Sequence, residues 1–95
     1  MFANGRYMTC GIQAEIPFEQ QLMMWAMIDA RKPKKLDYLQ VFRLAIETGV
    51  QKITHSQEKP RYKNEIAVMV DTPVNEKIFV IDDGDHSTMM LASEY

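Results

Sequence analysis

Residues 17–30 read Pro17-Phe18-Glu19-Gln20-Gln21-Leu22-Met23-Met24-Trp25-Ala26-Met27-Ile28-Asp29-Ala30, and this stretch decides the fold class. Pro17 suits the first helical position, because its φ is fixed and its missing N–H would have no intrahelical partner anyway. Glu19 sits in the first turn, where the helix dipole favours an anion. The helical pattern runs to Ala30 and meets Arg31-Lys32-Pro33-Lys34-Lys35. Those cations complement the negative end of the dipole, and the proline stops further winding.

The chain around this helix reads as strands. Tyr7 to Gln13 alternates, with Thr9, Cys10 and Ile12 among its members, and Ala14-Glu15-Ile16-Pro17 ends it. Asp37 to Glu47 carries aromatic and branched residues on both alternating faces, as a long strand near the sheet centre does; a helix is the competing reading. Thr48-Gly49 supplies a turn, and Val50 to Gln57 returns with Ile53 on one face and Lys52, Thr54 and Ser56 on the other. Glu58 to Asn64 reads as a charged loop, after which Ile66, Val68 and Val70 alternate with Ala67 and Met69.

Asp71 to Asn75 makes the next turn, and Lys77-Ile78-Phe79-Val80-Ile81-Asp82 is the strongest strand signal in the chain. Asp83-Gly84 is a favoured hairpin step, so His86 to Ala92 pairs back as a last strand, with a short helix from Ser87 as the alternative. The expectation is an α+β domain. It has a single antiparallel or mixed sheet of about five to six strands, with one main helix packed on one face, in the order β-α-β-β-β-β.

The 95 residues amount to one domain, 1–95, and 46% hydrophobic with 25% charged side chains excludes a disordered or collagen-like chain. No apolar run near Met1 resembles a signal-peptide core, and the longest, Leu22 to Ile28, is far below the roughly 20 residues of a spanning helix. A cytoplasmic location is expected. Cys10 is the single cysteine, so a disulfide within the chain is impossible; in the expected strand its thiol would pack as a small hydrophobe.

The net charge is −2, unevenly spread: residues 1–70 carry ten basic against seven acidic groups, and 71–95 carry Lys77 against six acidic ones. Nucleic-acid contact through Arg31 to Lys35 is therefore a third-ranked reading, because an acidic domain lacks a broad basic footprint. Tyr7, Tyr38, Phe42, Tyr62 and Phe79 read as core and edge packing rather than as a stacking platform. The four glycines, Gly5, Gly11, Gly49 and Gly84, are isolated, so no phosphate-binding loop and no cofactor is indicated.

The helix offers the sharper signal. Leu22 to Ile28 is apolar at every position, whereas a helix lying on a sheet needs only a stripe. Phe18, Leu22, Trp25 and Ala26 fall at helical spacing and are expected in the core, which leaves Met23 and Met27 on another face. Met23, Met24, Trp25 and Met27 are the candidate interaction surface, since methionine adapts to varied partners.

Two other groups deserve weighing. Asp82-Asp83-Gly84-Asp85-His86 gathers three carboxylates and an imidazole, a weak candidate for a divalent cation, but a tight acidic turn accounts for it with less. His55, His86 and Glu58 together with the Asp82–Asp85 turn form the alternative, enzymatic or metal-binding reading.

Several residue strings carry a family resemblance. Arg6-Tyr7 with Thr9 and Gly11-Ile12, Asp37 to Phe42, His55-Ser56-Gln57-Glu58, Lys77 to Asp83, and His86-Ser87-Thr88-Met89 resemble a small uncharacterised family of Gram-positive bacteria, domain of unknown function 960. The resemblance covers nearly the whole chain. It implies a bacterial cytoplasmic setting and no activity, because the family has no assigned catalytic or binding residue to carry over. The residues themselves favour a non-enzymatic interaction or regulatory module whose partner is another protein or a second copy of the chain, with no membrane contact.

Overall fold

The computed structural model describes residues 2–31 and 35–95. Its elements are β1 (Gly5–Met8), α1 (Cys10–Glu15), α2 (Phe18–Asp29), β2 (Leu39–Glu47), β3 (Val50–Gln57), β4 (Tyr62–Val68), β5 (Glu76–Asp82), β6 (His86–Leu91) and a 3-10 turn η1 (Ala92–Glu94). The six strands form one sheet in the order β1-β6-β5-β2-β3-β4. β1 runs parallel to β6 and every other neighbouring pair is antiparallel, so the α+β sheet is mixed, with one main helix, α2.

The order differs from the expected one by an extra helix. The chain does not continue as a strand to Gln13, because Thr9 takes an extended conformation and its hydroxyl oxygen accepts the Ile12 N–H at 3.3 Å, capping α1. Cys10 thus lies in the first turn of α1 and is exposed, not buried in a strand. Ile12 is the buried residue of this short helix.

The hairpins follow the turn chemistry. Thr48 and Gly49 both have positive φ, which matches the twist of the two-residue β2–β3 connection. Asp83 and the positive-φ Gly84 make the β5–β6 turn, and residues 86–91 are strand rather than helix. β4 begins at Tyr62, inside what the sequence reads as loop, because Tyr62 pairs with Gln57 and sets its ring edge against His55 at 5.4 Å. Val70 falls outside β4.

One sheet face is covered and the other is open. Phe42, Leu44, Ile53, Ile78, Val80, Met89 and Leu91 point to the covered side and meet Phe2, Ile12, Ile16, Met24 and Ile28 in one core. Three buried glutamine amides fasten the chain to this layer. Gln20 donates to Thr72 O at 2.9 Å, Gln21 to Ile16 O at 2.9 Å, and Gln51 both donates to Val74 O and accepts from Val74 N, at 3.0 and 2.7 Å. The segment joining β4 to β5 is tied down this way while it crosses the end of the β2–β3 hairpin.

The faces of α2 are the reverse of the sequence expectation. Gln20, Gln21, Met24 and Ile28 are buried, whereas Phe18 is 65% and Leu22 52% exposed and Ala26 is exposed as well. Met24 is therefore a core residue and not part of any surface. Met23 and Met27 are half-buried against the core, and Trp25 is half-buried on the opposite flank. A run that is apolar all round carries no directional signal; Met24 and Ile28 fill the core, and Gln20 and Gln21 turn inward with them, their amide nitrogens donating to Thr72 O and Ile16 O while Gln20 Oε1 is buried without a partner among the described residues.

Candidate functional site

The acidic turn is engaged internally. Asp82 accepts the Phe2 N–H at 2.7 Å, the Asn4 amide at 3.0 Å and the Gly84 N–H at 2.8 Å. Its burial disfavours the charged form, but the Phe2 and Gly84 N–H groups and the Asn4 amide outweigh this and hold its pKa below the ordinary value. Asp83 accepts the Asp85 and His86 N–H groups at 3.0 and 2.8 Å, and His86 Nδ1 lies 4.0 Å from it. Among the described residues no three His, Cys, Asp or Glu side chains gather closely enough to hold a metal ion.

The two histidines lie on opposite faces of the sheet, with β5 and β2 between their strands. His86 is exposed on the open face, its ring 5.1 Å from Tyr7 in an edge contact. His55 is buried on the covered face, stacked on Phe42 with ring centroids 4.4 Å apart. Its Nε2 is 2.6 Å from Gln40 Oε1. The Gln40 amide nitrogen donates to Asp37 O and Gln57 Oε1, so its oxygen faces the ring and Nε2 carries the proton. Burial, helped by the Arg31 charge, lowers the His55 pKa to about 4. Glu58 is exposed just beyond the end of β3. The set His55, His86, Glu58 and acidic turn is thus not brought together.

The basic cluster is accounted for only in part. Lys32, Pro33 and Lys34 lie outside the described residues, and the Arg31 guanidinium lies over the Tyr62 ring, 3.6 Å from its centre. Among the described residues no helix is long and apolar enough to cross a membrane.

A groove of about 500 Å3 runs between β1 and α2, lined by Arg6, Tyr7, Met8, Phe18, Gln21, Leu22 and Trp25. Sequence reasoning selected Trp25 here and missed the other six. The missed signal is the 18, 22, 25 spacing, assigned to the core because it is apolar. The Arg6 guanidinium spans the groove floor, donating to Phe2 O at 3.0 Å, to Asp29 at 3.1 Å, and lying 4.6 Å from the Trp25 ring centre. Its charge is therefore matched before anything binds.

β1 is also a sheet edge. Thr9 N–H donates to Met89 O of β6 at 3.1 Å, and backbone groups alternate sides along a strand. The N–H and C=O of Arg6 and Met8 consequently point away from β6, along the rim of the groove. An edge of this kind accepts a further strand, and the exposed Met8, Phe18 and Leu22 side chains would be covered by it.

Comparison with known proteins supports the resemblance. A family model described as a staphylococcal protein of unknown function, DUF960, matches residues 5–94. A crystal structure of a protein of unknown function from Enterococcus faecalis is similar over 97% of this chain and 91% of that chain, with a TM-score of 0.83 and 24% identity. That likeness shows a shared fold. No curated protein matches the chain.

Proposed function

We propose that this chain, which belongs to the staphylococcal family of unknown function DUF960, is a non-catalytic cytoplasmic interaction module that pairs with a second copy of itself through β1. The observation that carries this reading is the coincidence of an unpaired strand edge with an apolar groove beside it. Two β1 strands run antiparallel about a two-fold axis at Tyr7. Arg6 of one copy then exchanges N–H and C=O with Met8 of the other, twice, which satisfies the four outward groups. Met8, Phe18 and Leu22 of each copy close over the neighbouring groove.

A second copy fits because the interface would be self-complementary. The groove is largely apolar, and its one lining charge among the described residues, Arg6, is already paired with Asp29 and Phe2 O, so the two-fold arrangement opposes no like charges there. Sedimentation equilibrium at 5–100 micromolar protein, an order-of-magnitude range for an interface of this kind, tests the reading. The expected result is a monomer–dimer equilibrium that Leu22→Glu abolishes. A wild-type chain that stays monomeric throughout, or a dimer that Leu22→Glu leaves intact, overturns it.

A further inference from the structure

We infer that the open face of the sheet binds single-stranded nucleic acid, across β5, β2, β3 and β4. The inference is independent of self-pairing. This face holds a shallow depression of about 460 Å3 whose lining includes Arg43, Lys63 and Lys77. All three are exposed, and among the described residues none has a carboxylate within ion-pair distance. The two carboxylates that share the depression, Glu47 and Glu65, are both held by Lys52, at 3.3 and 3.6 Å. The face is therefore locally positive although the chain is net acidic.

Arg43 and Lys77 are directly opposite each other on β2 and β5. Like charges at opposed positions destabilise a sheet, and a bound anion would convert that repulsion into attraction. Ser56, cross-strand from Lys63, adds a hydroxyl beside that cation, while Thr54, cross-strand from Arg43, donates to Glu65 at 3.5 Å on its other side. These are the contacts a phosphate-bearing chain uses.

The neighbouring row explains why a nucleic acid fits better than an acidic peptide. Phe79 is opposite Val41 and two residues from Lys77, whose ammonium lies 5.5 Å from its ring centre. Tyr95 meets Phe79 edge-on at 5.4 Å and is mostly exposed. An aromatic ring beside a row of cations on an uncovered sheet offers a base something to stack on while its phosphates meet the charges. From Lys77 on β5 to Lys63 on β4, which lies in the adjacent row of Phe79, Val41 and Ser56, the cations are three interstrand spacings apart across the sheet, about 14 Å, which suits a few nucleotides. Asp83, beside Tyr7 at the other end of the same face, limits the site to this half.

Fluorescence anisotropy with labelled twelve-residue oligothymidine and oligouridine tests the inference, the two arms separating DNA from RNA. Binding is expected at low salt, weakening on added salt with a log–log slope of about −2, the value for three neutralised phosphates on a single strand. The double change Arg43→Ala with Lys77→Ala should weaken binding at least tenfold without lowering the melting temperature. Phe79→Leu should weaken it severalfold and leave the slope unchanged. Leu22→Glu should bind as well per chain as the wild type, whatever its oligomeric state. No binding at 50 millimolar salt, equal binding of polyglutamate or of duplex DNA, or undiminished binding by the double variant overturns the assignment.

Discussion

Glu94 closes the first turn of α1 from the far end of the sequence: it accepts the Thr9 hydroxyl proton at 2.6 Å and the Leu91 N–H at 2.9 Å. A Cβ on Gly11 would lie 2.6 Å from the same carboxylate. These hydrogen bonds, from Thr9 first and then from the Leu91 N–H, hold the Glu94 pKa below its ordinary value. The start of the first helix is therefore fixed by a residue 85 positions away. Thr9→Ala removes both the cap and the Glu94 partner, and a loss of about 1 kcal/mol is expected from the cap. Gly11→Ala should also lower the melting temperature, by pushing Glu94 off Thr9. Thermal melts of the two variants check this, and an unchanged melt for both would show that the closure adds nothing.

Asp82 ties the segment before β1 to the end of β5. Asp82→Ala leaves the buried Phe2 N–H without its acceptor and removes one of the two acceptors of the Asn4 amide, and a destabilisation of about 2 kcal/mol is expected from a lost hydrogen bond to a charged group. The Asp82 and Asp83 carboxylates already accept backbone N–H groups, so millimolar calcium, magnesium or manganese should leave the melt unmoved. Melting curves of wild type and variant with each ion and with chelator decide both points; a rise with one ion that Asp83→Ala removes would restore the metal reading.

His55 gives the fold a pH dependence whose sign follows from its burial. The folded pKa is lowered to about 4 from 6.5, so the native state prefers the neutral ring. The contribution is complete above pH 6.5 and is lost as pH falls from there towards 4. Over the full shift the loss is about 3 kcal/mol. His55→Phe keeps the stack on Phe42 and removes the titration, so its stability should be flatter than wild type between pH 6.5 and 4.5. Denaturant midpoints across that range measure it, and parallel curves for the two proteins would assign the acid sensitivity to other groups.

Much of this architecture was legible because local chemistry and the fold agree. Ile78, Val80 and the Asp83-Gly84 step announce the β5–β6 hairpin, and Ile53 with its polar neighbours gives β3 its bounds. The unreadable parts depend on distant partners. Thr9 looks like a strand residue until Glu94 reaches it, and Tyr62 looks like loop until His55 packs on it. The groove was hidden for a related reason. Phe18 and Leu22 have the composition of core residues, but the side of α2 that packs inward is that of Gln20, Gln21, Met24 and Ile28, which places them outside. The open sheet face was equally invisible, because Arg43 and Lys77 are 34 positions apart and meet only through strand order.

The inverted helix predicts a separation of effects along α2. Met23 and Met27 pack against the core from one flank, so Met23→Glu and Met27→Glu bring a charge to a half-buried apolar site and should lower stability. They should leave the monomer–dimer equilibrium of the folded protein where it is. Phe18→Glu and Leu22→Glu change residues more than half exposed, so their melts should stay near wild type while the dimer is lost. Met24→Ala, at a fully buried position, should cost about 3 kcal/mol and report on the core alone. Melting and sedimentation on the five variants give two independent columns of results. If Met23→Glu disrupted association and Leu22→Glu did not, the contact surface would lie on the methionine flank and the β1 groove would be ruled out.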